Sequence, residues 1–170
     1  MRKLCLTLAL ALMAAPAFAA DYQASLGPMP LDDETKQFIA GRGQATATSD
    51  GKTLTVTGDF HGLPSNAVAA HVLLSPVTGV SGKQVADLDI TKSTSGTVSG
   101  NVKLNSAQAA ALRTGRLYIQ IDSEKAPVDE APWGPKGTLW GWIFPAHETA
   151  GADVPQEGHW FIPQLDTPSR

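Results

Sequence analysis

From Lys52 to Phe60 the chain reads KTLTVTGDF, with Leu54, Val56 and Phe60 on one parity and Thr53, Thr55, Thr57 and Asp59 on the other. Successive side chains of a strand point to opposite faces, so this two-residue period specifies a strand with one dry face and one wet face. The period returns in AAHVLLS (69–75), VADLDI (85–90), GTVSGNVKL (96–104), RLYIQIDS (116–123) and GTLWGWIFP (137–145), each bounded by Gly, Ser, Asn or Pro. One helix interrupts the run. In LNSAQAAALRTG (104–115), Asn105 is a cap with Gln108 three residues on, and Gly115 supplies the left-handed stop. A short helix or turn is expected in LDDETKQFIAGRG (31–43), started by Asp32 or Asp33 and ended by Gly41 or Gly43. A parallel sheet would need a helix between most strands. Six or seven short strands with one helix instead predict an all-β fold: an antiparallel Greek-key β-sandwich or barrel, immunoglobulin-like or superoxide-dismutase-like.

The first twenty residues stand apart from this pattern. Arg2 and Lys3, the apolar run from Leu4 to Met13 and the small residues of AAPAFAA predict a secretory signal peptide, cut after Ala19 or Ala20. The expected organisation is therefore a signal at 1–20, one β-domain at 21–145 and a C-terminal tail at 146–170 packed on the domain. No later segment is apolar enough for a membrane span, so a soluble periplasmic or secreted protein is expected. The single cysteine, Cys5, lies within the signal and away from the cut, which argues against a lipid anchor. After cleavage no disulfide and no thiolate ligand remain, and the core alone must hold the fold. The net charge of −3 becomes more negative by two when Arg2 and Lys3 leave. An acidic chain with no basic cluster is a poor nucleic-acid binder. A monomer with a protein or small-molecule partner is expected.

Two blocks carry a family resemblance. GRGQATATSDGKTLTVTGDFHGLPSNAVAAHV followed by SGTVSGNVKLNSAQAAALRTGRLYIQI resembles the CHRD domain, a chordin-type domain found in exported bacterial proteins, from near YQASLGPMP to GTLWGWIFP. The resemblance implies a Greek-key β-sandwich and names no activity. Where the family reads A-H-I-H this chain has Ala70, His71, Val72 and Leu73. Ile121, Asp122 and Ser123 stand in place of I-H-T, and GTLWGWI in place of G-E-I-R-G-Q-L puts Trp140 and Trp142 at the arginine and glutamine positions.

Four constellations compete as sites. His71 with Asp122, if the two meet across the sheet, starts a ligand or metal site; the bland reading is a hydrogen-bonded pair. A zinc or copper site needs three or four converging side chains, and the short H-x-H spacing is absent, so no cofactor and no stoichiometric metal are expected. His61 lies on the Thr face of its strand. Dismutase chemistry is excluded by the shortage of histidines and of a mature cysteine. Ser75 and His71 share a parity but lack a nucleophile elbow, and Asp87 and Asp89 fit a charged edge strand better than an acid–base pair. No catalytic residue is assigned, and a non-catalytic module is expected. The aromatic signal is larger: all four tryptophans, Trp133, Trp140, Trp142 and Trp160, lie towards the C-terminus, and Trp140, Trp142 and Phe144 share one strand face. Either the tail segment HWFIP covers them or they form a ligand platform. The ligand-binding candidates are His71, Asp122, Trp140 and Trp142. The alternative functions are a periplasmic copper- or zinc-binding protein and a carbohydrate-binding module on the tryptophan face.

Overall fold

The computed structural model describes residues 19–29, 38–126 and 137–146. Within them the elements run β1 (Ala20–Pro28), β2 (Arg42–Ser49), β3 (Thr53–His61), β4 (Ala67–Leu74), β5 (Lys83–Ile90), β6 (Gly96–Lys103), α1 (Ser106–Arg113), β7 (Leu117–Ser123), β8 (Gly137–Trp142) and β9 (Phe144–Pro145). The strands lie in the order β2-β3-β6-β5-β4-β7-β8-β1 and β1 pairs back onto β2, so eight antiparallel strands close a barrel. The short β9 adds to β1 through Tyr22↔Pro145 and Gln23↔Phe144. Strands β4, β5 and β6 are successive hairpins, and β3 lies beside β6, which is the Greek-key arrangement expected.

The alternation sorts side chains as read. Leu54, Val56 and Phe60 point into the barrel with Ala70, Val72, Val98, Val102, Leu117, Ile119, Ile121, Leu139 and Ile143, all at most 2% exposed. The helix connects β6 to β7. Asn105 Oδ1 accepts from the Gln108 N–H at 2.9 Å and Gln108 Oε1 accepts from the Asn105 N–H at 2.8 Å, a complete capping box. Gly115 ends the helix at φ +62°, a conformation that disfavours any Cβ. Ala109, Ala111 and Leu112 form its buried face.

Three sequence expectations need amendment. The six or seven expected strands left out β1, which turns Tyr22, Ala24 and Leu26 inward, and β2, whose inward residues Ala45 and Ala47 are small. GTLWGWIFP is two elements, with Ile143 between β8 and β9. Strand β5 is not an outer edge: it pairs with β4 along Lys83–Leu88, and with β6 through Asp89 and Ile90 alone. Residues 1–18 of the expected 1–20 signal, residues 31–37 of the expected 31–43 helix or turn and the tail beyond Ala146 lie outside the described residues.

Candidate functional site

Strands β7 and β8 are buried along their whole length. Their inward residues belong to the barrel core. Their outward residues build a second layer, in which Tyr118, Trp140 and Trp142 pack with Met29, Ile39 and Leu73, and Phe144 lies against the group. Gly141 lets β1 come close: a Cβ there would lie 2.5 Å from the Ser25 carbonyl oxygen and 2.6 Å from Leu26 Cδ2. Tyr118 meets Trp140 edge-on with ring centroids 6.0 Å apart and Trp142 at 4.5 Å. The two indoles are 5.9 Å apart. Tyr118 Oη accepts from the Gly82 N–H at 3.0 Å. Burial pushes the Tyr118 phenol above its ordinary range; the Gly82 hydrogen bond opposes this and the nearby Asp122 charge adds to it.

Register aligns a polar row beside this layer. Asp87 of β5 lies opposite His71 of β4, His71 opposite Gln120 of β7, and Gln120 opposite Trp140 of β8. Asp122, one row on, reaches back. Gln84 Nε2 donates to Asp87 Oδ1 at 2.8 Å, and the same oxygen is 2.8 Å from His71 Nδ1. On the other side of the ring, His71 Nε2 is 3.4 Å from Asp122 Oδ2, and Gln120 Nε2 donates to Asp122 Oδ1 at 2.8 Å. The side chains of His71 and Asp122 are 18% and 12% exposed, so the chain of contacts sinks from the open Asp87 into the wall of the barrel. Two buried polar atoms in this region have no hydrogen-bond partner among the described residues: Gln120 Oε1 and Trp142 Nε1. Each such atom costs about 1–3 kcal/mol unless something satisfies it.

The imidazole decides the chemistry. A neutral ring carries one N–H, and two carboxylates bracket this one. A neutral ring with its proton on Nδ1 donates to Asp87, and a protonated ring donates to Asp87 and Asp122 together.

His71, Asp122, Trp140 and Trp142 therefore fall on one outer face, with His71 and Asp122 in contact. The indoles are 3% and 8% exposed, which removes the open platform that a stacked sugar needs. The aromatic partner of both indoles is Tyr118 of β7, which the choice between tail cover and ligand platform did not include. His61 ends β3 in solvent, opposite Arg42. Ser75 lies beyond β4 with its hydroxyl directed at the Val77 and Val80 carbonyls. Asp87 and Asp89 are both exposed, but Asp87 is the partner of His71 rather than edge decoration. Among the described residues no three His, Cys, Asp or Glu side chains are grouped to hold a metal ion. Sequence reasoning missed Gln120, whose parity with Tyr118 and Asp122 was available.

Comparison with known families finds the CHRD domain over residues 23–130, more than half of the chain. That span holds β5, β4 and β7 with Asp87, His71, Gln120 and Asp122, and it ends before β8, so the GTLWGWI likeness lies outside it. No curated protein and no solved structure matches the chain.

Proposed function

Because the chain belongs to the CHRD domain family, we propose that it is an exported, non-catalytic binding module whose ligand face is the Asp87–His71–Asp122 row on the outer side of β5, β4 and β7, bordering the buried aromatic layer. One observation carries the reading: a partly buried histidine held between two carboxylates adjoins a buried aromatic layer, and beside it Gln120 Oε1 and Trp142 Nε1 have no partner among the described residues. Barrels usually turn either solvated polar side chains or an apolar contact face outward. A buried polar atom without a partner costs stability, and a bound ligand that supplies the partner recovers it. Export follows from the N-terminal 20 residues. The non-catalytic assignment rests on the Ser75 hydroxyl being committed to the Val77 and Val80 carbonyls of its own loop.

The test is a small-molecule screen read by NMR on the His71 ring and the Trp142 indole N–H. Ligands of the face should move both signals together, lose that effect in His71→Ala, and come back chemically unchanged. A folded protein in which no compound moves either signal rejects the binding face. A compound that is consumed rejects the non-catalytic assignment.

A further inference from the structure

We propose that the end of the barrel formed by the β4–β5 loop and the C-terminus of α1 docks on a bilayer of anionic phospholipid. The inference concerns a surface other than the His71 row and does not depend on it. Among the described residues the large hydrophobic side chains left exposed are Val77 and Val80, at 55% and 43%, and both lie on this loop. No residue from Ser75 to Gly82 carries a charge. The loop is also fixed before any partner arrives. The Ser75 hydroxyl is held 2.5 Å from the Val77 carbonyl oxygen and 2.6 Å from that of Val80. Thr78 Oγ1 donates to the Gly115 carbonyl at 2.9 Å, and the Gly82 N–H donates to Tyr118 Oη at 3.0 Å. A surface already in its bound shape loses little conformational entropy on docking.

The same contacts bring cations to the loop. Ser75 N–H donates to the Arg116 carbonyl at 2.9 Å, and α1 ends at Arg113, two residues before the Gly115 that Thr78 holds. Lys83 follows the loop directly and lies opposite Leu74. None of these three cations is in an ion pair among the described residues. The sequence around them is free of acids: residues 60–86 and 90–121 contain neither Asp nor Glu, in a chain whose net charge is −3. An acidic molecule thus carries one cationic collar, and the collar surrounds its exposed valines. That combination selects the occupant. Anionic headgroups attract Lys and Arg near the bilayer surface, and an apolar tip enters the boundary between headgroups and acyl chains. A loop without charge makes that entry with no ion to desolvate. Either signal alone gives marginal binding, and the two together hold a protein at the surface. A nucleic acid would use the cations and leave the valines in water.

The experiment sediments the exported chain, freed of the apolar Leu4–Met13 run, with vesicles of phosphatidylcholine alone or mixed equally with phosphatidylglycerol. The protein should pellet with the mixed vesicles only, and about 1 M salt, where the Debye length is about 3 Å, should release it. Val77→Ser with Val80→Ser should weaken binding at least about tenfold, since both side chains lose their apolar contact. Lys83→Gln and Arg113→Gln should each weaken it about fivefold. All four positions are exposed, so the variants should keep the near-ultraviolet circular dichroism of the parent. The proposal falls if the mixed vesicles leave the protein in solution, or if phosphatidylcholine alone binds it equally. It falls too if the double serine variant binds as tightly as the parent, which would mark adsorption by charge alone. If the parent is a dimer and that variant a monomer by gel filtration, the occupant is a second copy and the lipid reading is overturned.

Discussion

At the scale of single residues, the outer layer behaves as a second core. Trp140 is 3% exposed, stands edge-on to Tyr118 and neighbours Trp142, so its removal opens a void among rings that cannot collapse onto one another. Trp140→Ala should cost about 3–5 kcal/mol, as large aromatic truncations in cores do. Urea unfolding measures it, and a loss under about 1 kcal/mol would mean that the ring is not structural. Trp160, expected to close over this strand, lies outside the described residues, so the cover named by the structure is Met29, Ile39, Leu73 and Phe144. The sequence shows which residues share the face, because alternation fixes parity. It does not show that His71 meets Asp87 on one side and Asp122 on the other. Those contacts depend on register between strands that are distant in sequence, and on a β4 irregularity between Ala67 and Ala69 against β7.

At the scale of elements, local chemistry was readable wherever it was complete within a few residues. The Asn105–Gln108 box is such a case, and Asn105→Ala should lower stability by about 1 kcal/mol, measured as a shift in the urea midpoint with an unchanged slope. The eight-residue α1 is too short to persist without packing, so the loss should appear as one cooperative shift of the whole domain rather than as local fraying. The β2–β3 hairpin follows the same logic. Asp50 Oδ1 accepts from the Lys52 and Thr53 N–H groups at 2.8 and 2.7 Å, and those bonds hold its carboxyl below the ordinary range. Strand β2 itself was not legible, because Ala45 and Ala47 face inward where the barrel wall leaves little room, and small residues leave no hydrophobic period. Strand β1 was hidden for a different reason: it starts at Ala20, where the expected signal peptide ends. If export proceeds as proposed, intact mass of periplasmic or secreted protein should place the new N-terminus at Ala20 or Asp21. A retained Met1 or an added lipid mass would overturn it.

At the scale of the molecule, the protein has two packed layers, the barrel interior and the outer aromatic sheet, and one tyrosine reports on each. Tyr22 is in the interior cluster and Tyr118 in the outer one, and the chain has no other tyrosine. Burial pushes the Tyr22 phenol up, opposed by the Arg113 charge, while burial and Asp122 push Tyr118 up against the Gly82 hydrogen bond. A phenol whose pKa is raised by folding stabilises the native state fully below its unfolded value of about 10, and that contribution is lost as pH rises through the folded value. Unfolding in alkali should therefore begin above pH of about 10. Tyrosinate absorbance should stay low until the near-ultraviolet circular dichroism of the buried indoles collapses, and both signals should then change together. Tyr118→Phe should leave one late titration, and Tyr22→Phe the other. If half of the tyrosinate signal develops while the indole spectrum is intact, the residue whose Phe variant removes that early step is open to water, and the layer that holds it is not closed.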